Sequence, residues 1–105
     1  MSRDDAPMVG GILIYRGVFM SAYKLKQNYL IRTVTMYYVG TLESVDDHEL
    51  VLSSCSWVAD TGRYNKALTT GELNEVEPMP GPVIVGRGAV VDAVEWTHEL
   101  PTQVK

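Results

Sequence analysis

The residues best equipped for chemistry in this sequence are Asp46, Asp47, His48 and Glu49, four titratable side chains in a row, and Arg87, held between Gly86 and Gly88. Carboxylates beside an imidazole suit acid–base work or a metal ion, and a guanidinium between glycines suits a phosphate or the face of a base. Four adjacent residues at a strand turn point in different directions, however, so they do not converge on one ion. The row therefore reads first as a solvated turn, and Gly86-Arg87-Gly88 as a tight turn whose glycines permit positive φ. Asp46, His48 and Arg87 remain the candidate ligand-binding residues. No catalytic residue, metal site or cofactor is expected. The GRG turn is too short for a nucleotide loop and leads into a strand, and no Ser-His-Asp or Cys-His spacing stands out. Cys55, with no activating motif around it, reads as a packed residue, and a lone cysteine fits a reduced, intracellular setting. His98, beside Trp96, reads as a surface histidine.

The elements that must position these residues are mostly strands. Residues 1–10 are a polar, proline-containing arm, and Gly11–Tyr23 is a first strand interrupted by Gly17. Met20 also looks like a plausible start of translation. After the polar break Lys24–Asn28, apolar residues alternate from Tyr29 to Val45, with Val34, Met36, Tyr38 and Leu42 on one face. That run is too long for a flat strand, so Gly40 is expected to bend it sharply. A third strand covers His48–Val58. Asp60 or Thr61 opens a short helix that Gly71 closes. Glu72–Pro82, acidic and with three prolines, is expected to be an extended loop without regular structure. Val83–Val85 and Ala89–Trp96 are the fourth and fifth strands, and 97–105 is a tail. All 105 residues form one domain.

Charge narrows the function classes. Nine Lys and Arg against thirteen Asp and Glu give a net charge of −4, which disfavours non-specific binding to nucleic acid or an anionic membrane. The longest apolar run, Met8–Met20, contains Arg16 and is too short for a membrane span, and no positive n-region precedes it, so the expected location is cytoplasmic. Adjacent Tyr37 and Tyr38 must face opposite ways, so one of them points outward. Trp57 suits the core or an interface.

Strand-like runs joined in this way are the layout of an SH3-like barrel, and within that class the chain resembles the Sm-like family, including its bacterial Hfq branch. The likeness rests on GTLESVDDHELVL, Gly40–Leu52, and more weakly on VIVGRGAVVDAV, Val83–Val94. It implies a mostly β fold: a small five-stranded SH3-like (Sm-like) barrel with a short helix and a long loop inserted between strands three and four. It also implies a ring in which the fourth strand of one subunit pairs with the fifth of the next, and a nucleotide pocket lined at the position of His48. The expected function is a non-enzymatic, homo-oligomeric, ring-forming binding or assembly module of bacterial or phage origin. Its partner would be itself, through candidate interface residues Tyr37, Trp57, Val83, Val85 and Val91. The alternative is binding of RNA, single-stranded nucleic acid or a nucleotide at Asp46, His48 and Arg87.

Overall fold

The computed structural model describes residues 21–105, together with the backbone of two short paired strands, β1 (Met8–Val9) and β2 (Ile12–Leu13). Apart from these, the expected arm over 1–10, the start at Met20 and the body of the expected first strand lie outside the described residues. The described end of that strand, Ser21–Tyr23, is not strand.

The single bent strand expected across Tyr29–Val45 is two strands, β3 (Asn28–Thr33) and β4 (Tyr37–Val45), paired antiparallel. Thr33 causes the break. Its hydroxyl donates to the Met36 carbonyl oxygen (2.8 Å) and accepts from the Met36 N–H (2.9 Å), which offers the chain a turn in place of extension. Val34 and Met36, expected on the buried face, lie in that turn at 73% and 43% exposure.

β5 (Glu49–Asp60) is the central strand and runs antiparallel to β4. Val39 pairs with Ser56 and Thr41 with Ser53, so Ser54 and Cys55 together face Gly40 alone. This is a β-bulge, and Ser54 takes φ +47° to make it. The extra residue shifts the phase of the strand. Leu50, Leu52 and Cys55 therefore pack in one apolar cluster, on the side of Tyr29 and Ile31, while Val58 joins Leu30 and Val39 in a second on the opposite side. Leu30, Ile31, Val39, Leu42, Leu50 and Leu52 are fully buried, each worth about 1.5–3 kcal/mol relative to exposure.

Helix α1 (Tyr64–Thr70) forms where expected and ends at Gly71, whose φ is +81°. Its start differs from expectation. Arg63 is the N-cap without a side-chain bond, and the Asp60 carboxylate accepts from the Gly62 N–H (2.8 Å) instead. The helix covers the second cluster, with Ala67 buried in it.

The stretch Glu72–Pro82 is not structureless, because it holds β6 (Glu75–Pro78), which pairs with Ser56–Asp60 of β5. The Met79 N–H donates to the Cys55 carbonyl oxygen (2.8 Å), so by alternation the missing N–H of Pro78 points away from β5 and interrupts no ladder bond. β7 (Val83–Gly86) then takes the first half of β5, Glu49–Leu52, on the same edge. A 3-10 turn, Arg87–Ala89, leads to β8 (Val90–Glu95), which pairs with β3.

The result is a six-stranded sheet in the order β6-β5-β4-β3-β8, with β7 also paired to β5. It is not closed into a barrel. This corrects the expected five-stranded SH3-like (Sm-like) barrel and the likeness that implied it. Consecutive strands β7 and β8 lie on opposite margins and do not pair, because one edge of β5 is shared by two short strands while β8 finds its ladder on β3. The glycines of GRG are also not used as expected: Gly86 has φ −64°, and a Cβ on Gly86 or Gly88 would meet nothing within 4 Å.

The tail 97–105 packs back on the helix side. Trp96 is buried and its Nε1 donates to the Glu99 carbonyl oxygen (3.1 Å). His98, expected on the surface, is half-buried, with Nε2 2.8 Å from the Leu68 carbonyl oxygen. Lys105 and Val76 exchange backbone hydrogen bonds of 3.0 and 3.2 Å, which covers the outer edge of β6. No helix among the described residues is long and apolar enough to cross a membrane.

Candidate functional site

Asp46, His48 and Arg87 do come together, and the backbone does it. The Arg87 N–H donates to the His48 carbonyl oxygen (2.9 Å), and Arg87 Nη1 donates to the Asp46 carbonyl oxygen (2.8 Å). The Asp46 carboxylate is spent within its own turn: Oδ1 accepts from the N–H groups of His48 (2.7 Å) and Glu49 (2.9 Å). These donors hold its carboxyl below the ordinary aspartate value. Asp47, His48 and Glu49 are exposed. Among the described residues no group of three or more His, Cys, Asp or Glu is placed to hold a metal ion. The cluster works as a clamp between the β4–β5 turn and the 3-10 turn.

Behind the clamp, the Arg87 guanidinium lies 5.5 Å from the centre of the Tyr23 ring, which meets Tyr29 edge-to-face at 5.5 Å. A cleft of about 490 Å³ opens there, bordered also by Ala93 and Glu95. Burial raises the Tyr23 phenol above its ordinary value, and Arg87 pulls the other way. The Tyr29 hydroxyl is occupied by the Lys24 N–H (2.8 Å), and Lys24 pairs with Glu95 at 3.7 Å.

The candidate interface residues are dispersed. Tyr37 lies at the margin of the second cluster, edge-to-face with Tyr64 at 6.0 Å. Arg32 sits over Tyr64 at 5.8 Å and is bonded to Asp92 through Nε (3.2 Å) and Nη2 (2.5 Å); Asp92, and then Tyr37, raise its pKa further. Trp57 is half-exposed between its cross-strand neighbours Tyr38 and Glu77 and belongs to neither cluster. Val83 and Val85 pack on the first cluster, Val85 as a buried member, whereas Val91 is 54% exposed at the start of β8.

Sequence reasoning passed over Ile84, which is 65% exposed between inward-facing Val83 and Val85. Its signal was available in strand alternation: if two valines of Val-Ile-Val enter the core, the isoleucine cannot. The Arg87 N–H bond to His48 also sets the phase of β7. Counting back by two, Val85 and Val83 direct their peptide groups at Leu50 and Leu52, and Ile84 and Gly86 direct theirs away from the sheet. Among the described residues nothing pairs with that outer edge.

Comparison with known proteins found no matching family model, no matching curated protein and no matching solved structure. With the open sheet, this removes the ground for placing the chain in the Sm-like family.

Proposed function

We propose that this domain is a non-catalytic binding or assembly module that acts as a homo-oligomer, joined through the margins of its sheet. The observation that carries the reading is the pair of open edges. Among the described residues the outer sides of β7 and β8 have no strand partner, and each presents an exposed β-branched side chain, Ile84 and Val91. Proteins that stay monomeric commonly blunt such edges, and self-association satisfies them at once. Two groups with catalytic chemistry are committed elsewhere: the Cys55 thiol is buried, and the Asp46 carboxylate caps its own turn.

Nucleic-acid binding at Asp46, His48 and Arg87 is the weaker reading, because two of the three are engaged inside the molecule and the net charge is −4. Light scattering at low and high salt, over a range of protein concentrations, tests the proposal. Masses that rise above the 11.7 kDa of one chain are the expected result. A single-chain mass throughout overturns it.

A further inference from the structure

The three outer margins of the sheet are not equivalent, and the difference selects one of them. The outer edge of β6 is already occupied at Val76 by the backbone of Lys105. The outer edge of β8 carries Glu95, which pairs with Lys24, and Asp92, which pairs with Arg32, so charge flanks it. β7, Val-Ile-Val-Gly, carries no charge, no proline and no bulge. Among the described residues it is the margin of the three with no charge, proline, bulge or covering backbone on it, and shortness is the protection that remains.

The phase of β7 also says how a strand would join it. Ile84 points its N–H and C=O outward, and Gly86, two residues on, presents its N–H, its carbonyl being the acceptor that opens the 3-10 turn. Pro82, two residues before, has no N–H to leave unsatisfied. We propose that a second copy of this chain pairs β7 with its own β7, antiparallel, about a two-fold axis that passes between the two Ile84 residues. This rests on the homo-oligomer reading above and names the edge, the partner and the register.

Self-complementarity argues for a second copy. An antiparallel pair centred on Ile84 exchanges both of its peptide hydrogen bonds with the same residue of the partner, and it sets Gly86 of each copy opposite Pro82 of the other. The two exposed Ile84 side chains then lie directly across from one another on one face, where each removes the other from water. Arg87 falls opposite Gly81, so no like charges meet across the strand pair despite the −4 carried by each chain. The two sheets become continuous through the shared edge. A four-residue edge is short, so the pairing is expected to be reversible, with a dissociation constant on the order of micromolar or weaker.

The test combines two variants. Ile84→Lys places a charge on the edge and leaves the core untouched, since the side chain is exposed; unchanged circular dichroism and melting establish that it folds. Sedimentation of this variant is expected to show single chains at concentrations where the wild type is dimeric. Ile84→Cys is expected to form a disulfide between copies within minutes of mild oxidation, because paired residues of this type stand about 5.5 Å apart at Cα, within disulfide reach. Val91→Cys, at the other margin, is expected to cross-link far more slowly. If the wild type associates but Ile84→Lys still does so, or if Val91→Cys cross-links faster, the contact lies elsewhere and the β7 pairing is overturned while the oligomer reading stands. If the wild type is monomeric at every concentration, both fall.

Discussion

Gly40 and Cys55 approach so closely across the β4–β5 ladder that a Cβ on the glycine would stand 3.0 Å from the Cα of Cys55, and equally close to the Ser53 carbonyl oxygen. Both obstacles are backbone or its immediate neighbour, which a rotamer change cannot move aside. The absence of a side chain at position 40 is what lets Ser54 and Cys55 bulge toward β4, and the bulge in turn directs the two halves of β5 into different apolar clusters. Gly40→Ala is therefore expected to destabilise the domain by about 1–3 kcal/mol and Gly40→Val by more, read from urea midpoints at constant m-value. A Gly40→Val protein with the wild-type midpoint would show that the strands separate at no cost.

Ser56 gives a prediction of opposite sign. It is fully buried, and its hydroxyl has no hydrogen-bond partner among the described residues. Removing an unsatisfied hydroxyl recovers a desolvation cost and leaves only a small void, so Ser56→Ala is expected to be neutral or to stabilise by about 1 kcal/mol. A clear loss of melting temperature would mean that the hydroxyl is satisfied.

Gly71 and His98 form a coupled pair at the end of α1. At φ +81° the glycine occupies a conformation that L side chains rarely adopt, and a Cβ there would lie 2.7 Å from the Cβ and Cγ of His98. Gly71→Ala is expected to cost about 1–2 kcal/mol from backbone strain alone, with the His98 contact added. Truncation by His98→Ala leaves that residue's own Cβ in place and removes the ring. The double variant should thus recover part of the added cost, and a double-mutant cycle measures it. Strict additivity would show that the collision with the ring contributes nothing.

Cys55 sets a limit on the alkaline side. Burial pushes its thiol up from 9.0 to about 12. The unfolded chain releases this proton near pH 9 and the folded chain retains it, so the folded state binds the extra proton across that interval. The stability this confers is fully present below pH 9 and falls as pH rises toward 12, by at most about 1.4 kcal/mol per pH unit. Urea melts at pH 8 and pH 10.5 should show the decline, and Cys55→Ala should reduce it. At pH 8 the native thiol should react with an alkylating reagent orders of magnitude more slowly than the denatured one.

Much of the local structure was legible in the residues themselves. Alternation located the cores of β3, β4, β5, β7 and β8, and Gly71 marked the end of α1, because strand pleat and helix termination depend on near neighbours. The Asp46 turn was also visible, but its meeting with Arg87 depends on the pairing of β7 with β5. Tertiary structure alone decided the rest. Whether Thr33 bends its strand, whether Glu75–Pro78 finds a ladder and on which margin β8 settles all depend on which backbone groups are left free on β3 and β5. Those are questions of long-range pairing, to which a local pattern carries no answer. The short motifs that resembled a closed barrel describe single bends and turns, whereas closure requires two distant edges to meet. Here β6 and β7 share one side of β5, β8 lies beyond β3, and the margins stay apart. The same division explains Ile84: its outward side chain was readable from strand period, but its unpaired peptide groups became visible only once β5 had taken up the other side of β7.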